Sequence, residues 1–237
     1  MAKAFIIGVG PGDPTWLTDR ARAAVAQSDA ILGWELNLTP LAGLLDGKQL
    51  FIQKPGDYGP VAANAANAIR QSDGTIAIVR IGDALVSSGL NGLLALFHDV
   101  AIEIVPGISS VQLAAAAAQI NLDEAAIISF HEERRWDEEQ AFMRDAFRRG
   151  RHLVVLTGPG HHPNDTAAYL LGQGVDPVTE ALVGESLALP DERVTQANLA
   201  EIATQTFHWL SVMVIIHPTG INPLWKGRKL AQERKEA

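Results

Sequence analysis

Short β-rich apolar runs recur along this chain, most of them closing on glycine or proline and followed by a longer stretch of helical composition. That alternation admits few folds, because strands separated by helix-length segments pair in parallel, and it predicts an α/β protein with a largely parallel sheet. Strands are expected at residues 4–9, 30–32, 75–81 and 101–105, with helices at 17–27, 58–71, 90–97 and 109–119; Thr18 is the expected N-cap of the first helix. A second α/β block follows, with strands at 126–129, 153–157, 180–184 and 211–217 and helices at 138–149, 164–173 and 198–204. The segment 119–124 closes one helix and precedes a new strand, so the chain is read as two α/β domains, 1–120 and 121–222, with a basic tail at 223–237.

Composition narrows the chemistry. There are no cysteines, which excludes disulfide frameworks, thiolate zinc sites, iron–sulfur clusters and cysteine nucleophiles. The 27 acidic residues exceed the 19 Lys and Arg, and a net charge of −8 opposes non-specific nucleic-acid binding. No apolar run is long enough to span a bilayer, and the first residues have too short an apolar stretch for a signal peptide. The expectation is a soluble cytoplasmic protein with neither nucleic acid nor membrane as partner.

Three turns follow predicted strands. The first, Gly8-Val9-Gly10-Pro11-Gly12-Asp13, resembles a dinucleotide fingerprint but breaks it, because Asp13 stands where the third glycine belongs. That argues against a nicotinamide dehydrogenase, and the ending is not that of a Walker loop. By itself the turn suits either tight strand-to-helix packing or close backbone approach to a ligand. The second, Arg80-Ile81-Gly82-Asp83-Ala84-Leu85-Val86, ends the strongest strand, where open α/β sheets bind ligands. Asp83 there suits either a ligand contact or an N-cap for the next helix. The third, Pro106-Gly107-Ile108-Ser109-Ser110, opens a helix, and its hydroxyls suit either a cap or a bound carboxylate.

Taken together, the three turns resemble the tetrapyrrole methylase family across about residues 4–217. Pro106-Gly107-Ile108-Ser109-Ser110 followed by Ser129-Phe130-His131 is most similar to the members that methylate C5 of cobalt-precorrin-7 or precorrin-6Y in cobalamin synthesis. Two departures stand out: Ala84 replaces the usual proline of the middle loop, and Glu132-Glu133-Arg134-Arg135 follows His131 in place of glycine. The resemblance implies two α/β domains with S-adenosyl-L-methionine between them, a homodimer, and a precorrin-type acceptor. It also implies a separate protein for C15 methylation and decarboxylation. Carried onto this chain, it places the cofactor against Pro11, Gly82, Asp83, Val86, Ser109, Ser110, Thr157, Val183 and His217. His131 becomes the candidate catalytic residue, collecting a proton or orienting the ring.

Methyl transfer from a sulfonium needs alignment and exclusion of water rather than a strong protein nucleophile, so the missing cysteine is no obstacle. A polycarboxylate acceptor calls for local cations, and Lys54, Arg80, Arg134 and Arg135 are the suppliers near the motifs. No metal is expected, because the histidines lack acidic partners at ligand spacing; His161-His162 is read as an exposed turn and the tryptophans mostly as core. Two other functions remain compatible: a family member acting on a different ring position or a non-tetrapyrrole acceptor, and a nucleotide-binding module without catalysis.

Overall fold

The structure is a computed structural model that describes residues 2–86, 89–158 and 160–220; the expected basic tail lies outside the described residues. Contacts divide the chain into two units, Met1–Ser110 and Val111–Ala237, ten residues before the expected boundary.

In the first unit the strands are β1 (Lys3–Gly8), β2 (Ala30–Trp34), β3 (Gln49–Gln53), β4 (Thr75–Arg80) and β5 (Ala101–Val105). They form one sheet of order β3-β2-β4-β1-β5, and every pairing is parallel. The helices are α1 (Asp19–Ala26), a single turn α2 (Glu35–Leu38), α3 (Tyr58–Ser72) and α4 (Leu90–Leu96). Thr18 caps α1 as expected, its hydroxyl accepting from Ala21 N at 3.1 Å. β1 shows why these runs are almost wholly apolar. Ala4 and Ile6 face one core with α3 and α4, while Phe5, Ile7 and Val9 face another with α1. A central parallel strand is covered on both faces.

After α5 (Ser110–Ala118), the second unit contains β6 (Ala125–Ser129), α6 (Trp136–Arg148), β7 (His152–Leu156), α7 (Pro163–Gly172), β8 (Glu180–Glu185), β9 (Arg193–Asn198), the short α8 (Leu199–Ile202) and β10 (Ser211–Ile215). Its sheet runs β6-β7-β10-β8-β9 and is mixed: β6–β7 pair in parallel, the other pairings are antiparallel, and β10 and β9 run against β6, β7 and β8. The expected alternation therefore describes the first sheet and only part of the second. One core lies on this sheet, built from Ile128, Phe130, Leu153, Val155, Val183, Met213 and Ile215 with residues of α6 and α7.

The two strands missing from the sequence reading, β3 and β9, are both edge strands. Leu50 and Ile52 are each 40% exposed beside buried Phe51, and β9 carries no fully buried residue, so neither shows a clean apolar pattern. Among the described residues no helix is long and apolar enough to cross a membrane.

Candidate functional site

Two strand-end edges gather the sequence candidates, one in each unit. In the first, the chain leaves β1, β4 and β5 through Gly8, Gly82 and Gly107, and the three backbones touch. A Cβ built on Gly8 would stand 2.6 Å from Gly82 O and 2.7 Å from Gly107 N. Side chains cannot pass between backbones that close, so glycine is required there for packing rather than for its dihedral freedom. Gly82 is the complementary case: its φ of +68° is left-handed, and it exchanges two hydrogen bonds with Gly10 (Gly82 N to Gly10 O 2.7 Å, Gly10 N to Gly82 O 3.2 Å). The broken fingerprint is thus a backbone bridge between the first and second turns.

Asp83 ties the second turn to the third. Asp83 is 7% exposed, its carboxylate Oδ1 accepting from Leu85 N at 2.7 Å and Oδ2 from Gly107 N at 2.8 Å. It is not the cap of the next helix, since Gly89 holds that position for α4. Charge-assisted bonds to two backbone donors make it a clamp that holds two strand-end loops in one geometry. Pro11 and Ser109 are buried beside this clamp's loops, while Ser110 and Val86 are half-buried. Pro11, Gly82, Asp83, Val86, Ser109 and Ser110 therefore share one edge of one sheet. Arg80, ending β4, is largely enclosed, and burial holds its guanidinium below the ordinary arginine range despite the nearby Tyr58.

The second edge lies at the ends of β6, β7 and β8 and the start of β10. Ser129 Oγ is 2.9 Å from Nδ1 of His131, whose ring is exposed. Thr157 is buried, and its hydroxyl donates to Ser211 O at 2.8 Å. Strand direction separates two residues that the resemblance placed together. β10 is antiparallel to β7, so His217 emerges beside the start of β7, where its N–H donates to His152 Nδ1 at 3.0 Å. It lies at the opposite edge of the sheet from Thr157. Val183 is fully buried in the middle of β8 between Met213 and Thr195, and its side chain packs in the core. Neither residue joins the edge where His131 and Thr157 meet.

Other expectations change too. His161 is not an exposed turn residue but core: it is 3% exposed, stacked on Phe130 at 3.7 Å, 5.5 Å from Trp136, and bonded through Nε2 to Thr166 Oγ1 at 3.1 Å. Burial holds its pKa below the ordinary histidine value, outweighing the pull of Asp165. The unfolded chain then takes up that proton more readily, so this contribution to stability is full above about pH 6.5 and is lost as pH falls below it. The melting temperature should drop between pH 7 and 5.5, and His161→Gln should flatten that drop in thermal melts; an unchanged slope would refute the assignment. Trp16 and Trp209, read as core, are 43% and 38% exposed. Arg135 is occupied by Glu139 at 2.7 Å and Glu138 at 3.8 Å, while Lys54 is exposed.

Sequence reasoning passed over one cluster on this edge. Glu185, at the end of β8, is 3% exposed yet charged. Burial opposes its ionisation, but hydrogen bonds from Arg193 and from His208 N (2.7 Å) hold its pKa below the usual carboxylate range. The signal was Gly184-Glu185-Ser186 followed by Pro190-Asp191-Glu192-Arg193, a charged pair flanking a turn.

Comparison with known proteins agrees with this fold. The sequence is 29% identical over 213 residues to the probable cobalt-precorrin-7 C(5)-methyltransferase of Methanocaldococcus jannaschii, covering 89% of this chain and 96% of that protein. It is 24% identical to a Sinorhizobium precorrin-6Y C(5,15)-methyltransferase (decarboxylating), over 89% of this chain and 48% of the relative. The uroporphyrin-III C-methyltransferase of Thermus thermophilus, solved in complex with S-adenosylhomocysteine, superposes with a TM-score of 0.72 at 27% identity, covering 90% of this chain and 92% of that one. The sequence pattern of the tetrapyrrole (corrin/porphyrin) methylases matches residues 3–203, and the chain belongs to that family.

Proposed function

We propose that this chain is an S-adenosyl-L-methionine-dependent C-methyltransferase acting on C5 of cobalt-precorrin-7 or precorrin-6Y. The observation that carries the reading is the first strand-end edge: Gly8, Gly82 and Gly107 in backbone contact, locked by Asp83 across two loops. The near-full-length similarity to a probable C5-methyltransferase supports the choice of acceptor carbon. The edge suits the donor. Gly10 and Gly82 leave bare backbone, Ser109 and Ser110 bring hydroxyls, and Asp83 brings a carboxylate with lone pairs to spare. S-adenosylmethionine supplies an electrophilic methyl group when bound.

The residues of this chain then have to hold, align and exclude water. Such positioning accounts for about 7–11 kcal/mol in the best intramolecular reactions. For His131 to accept a proton at Nε2, its Nδ1–H must donate to Ser129 Oγ, and the 2.9 Å separation allows that. The reading assigns C15 methylation and decarboxylation to a separate protein, needs no metal, and carries a homodimer. Light scattering should find a particle of about 50 kDa, twice the 25.4 kDa chain.

The deciding experiment incubates the protein with methyl-labelled donor and a panel of precorrins, then locates the label by NMR. Label at C5 is the expected result. Label at another ring carbon would move the chain elsewhere in its family, and donor binding without transfer to any precorrin would refute catalysis on this class.

A further inference from the structure

We propose that Arg193, held by the buried carboxylate of Glu185, binds a peripheral carboxylate of the acceptor; this deepens the reading above and rests on it. The two side chains are unequal partners, Glu185 being 4% exposed and Arg193 60%. Glu185 uses both oxygens: Oε1 accepts from Arg193 Nη2 at 2.8 Å and from His208 N at 2.7 Å, and Oε2 accepts from Arg193 Nε. The arginine thereby spends one edge of its planar fork, Nε and one Nη2 proton. A guanidinium has five donors, so the outer edge still presents Nη1 and the second Nη2 proton. That outer edge has the geometry for a second carboxylate, and most of the side chain lies at the surface.

The surroundings fix its position. Between β8 and β9 the chain passes through Ser186 (φ +48°) and Ala188 (φ +62°), left-handed conformations that non-glycine residues adopt only where neighbours enforce them. The enforcing bonds are present: Ser186 Oγ donates to Asp191 Oδ2 at 2.9 Å, Ala188 N to Glu192 Oε2 at 2.7 Å, and Ser186 N to Leu210 O at 2.9 Å. A loop braced in this way delivers Arg193 in one place. His208 N shares the Glu185 carboxylate with Arg193, and exposed His208 and Trp209, adjacent in the chain, hold their rings 5.5 Å apart on this same edge. A fixed cationic fork on the same edge as exposed aromatic rings matches a flat macrocycle with carboxylate arms.

Register puts this on the edge already described. Glu185 pairs with both Arg193 and Ser211, and Thr157 bonds Ser211 O. β9 and β6 are the outer strands of the sheet, four strand spacings or roughly 19 Å apart. Arg193 and His131 thus bracket the edge, with the carboxylate grip far from the candidate proton acceptor. In a chain of net charge −8, such a preorganised donor supplies what long-range attraction does not.

The test uses cobyrinic acid, a stable corrin polycarboxylate, and its full methyl ester, which has the same ring without the charges. Binding of each is followed by visible absorbance in wild type, Arg193→Gln and the double variant Glu185→Gln/Arg193→Gln. The double variant removes both charges together and keeps the protein measurable if the single change leaves Glu185 too costly to bury. Wild type should prefer the acid to the ester, and the variants should lose about ten- to a hundredfold of that preference. S-adenosylhomocysteine affinity should stay unchanged, which a merely structural disturbance would not guarantee. An undiminished preference in a folded variant overturns the role of Arg193 and leaves the proposed function standing. Failure of wild type to bind either corrin overturns the tetrapyrrole acceptor, and the inference with it.

Discussion

Gly107→Ala should be the most damaging single methyl group that can be added to this protein. The new Cβ would meet Gly82 O and stand 2.5 Å from Gly8 O, so relief requires moving backbone in two other strand-end turns. Overpacking a flexible core costs about 1–3 kcal/mol, and here no side chain can rotate away, so a cost of at least about 3 kcal/mol is expected. In a chain of this length that lowers the melting temperature by roughly 6–12 °C. Gly92→Ala, inside α4 with nothing within 4 Å of the added carbon, is the matched control. It should be neutral or stabilising by about 0.5–1 kcal/mol. Thermal melts of the pair decide the matter, and equal melting temperatures would show that the three turns are not in contact.

Asp83→Asn comes second in size. On sequence grounds the substitution looks gentle, because the two residues cap helices about equally well. The structure removes that comfort. Both carboxylate oxygens accept backbone N–H groups, and an amide has only one oxygen, so its NH2 must face either Leu85 N–H or Gly107 N–H. Loss of one bond to a charged acceptor in a site this enclosed costs about 1.5–3 kcal/mol. The melting temperature should therefore fall by several degrees, and S-adenosylhomocysteine affinity should fall with it, by roughly tenfold or more. Calorimetry on the folded variant separates the two effects. Wild-type affinity despite a lowered melting temperature would make Asp83 a loop clamp with no part in holding the donor.

What was legible in the sequence follows from where apolar residues are forced to be. The central strands of the first sheet are covered on both sides, so runs such as Phe5-Ile6-Ile7 declared themselves to within a residue or two. Edge strands need no such cover, and β3 and β9 passed unnoticed. Strand direction was not legible in the second unit, because composition does not say whether β10 runs with β7 or against it. That one reversal sends His217 to the opposite edge from Thr157. The candidates of the first edge lie together in the fold because each belongs to a glycine turn at a strand end, a local signal. Glu185 and Arg193 depend on a pairing between β8 and β9 that only the fold creates. His161 was misjudged for the same reason: its turn looks solvated, but Phe130 and Trp136 arrive from elsewhere in the chain to cover it.

The place of β1 in its sheet has a consequence for biogenesis. Among the described residues its neighbours are β4 and β5, so Lys3 waits for Thr75 or Ala101 before a rung of its ladder can close. At about 5–20 residues per second on the ribosome, the first of those partners arrives roughly 4–14 s after β1 is made. For that interval the backbone of Ala4-Phe5-Ile6-Ile7 has neither of these strands to pair with, and an uncharged, β-prone segment with open backbone groups is the kind of sequence that self-associates. Nascent chains stalled before residue 75 should accordingly recruit chaperones or aggregate, and those stalled well past residue 105 should not. A central first strand makes the nascent chain dependent on its own later synthesis.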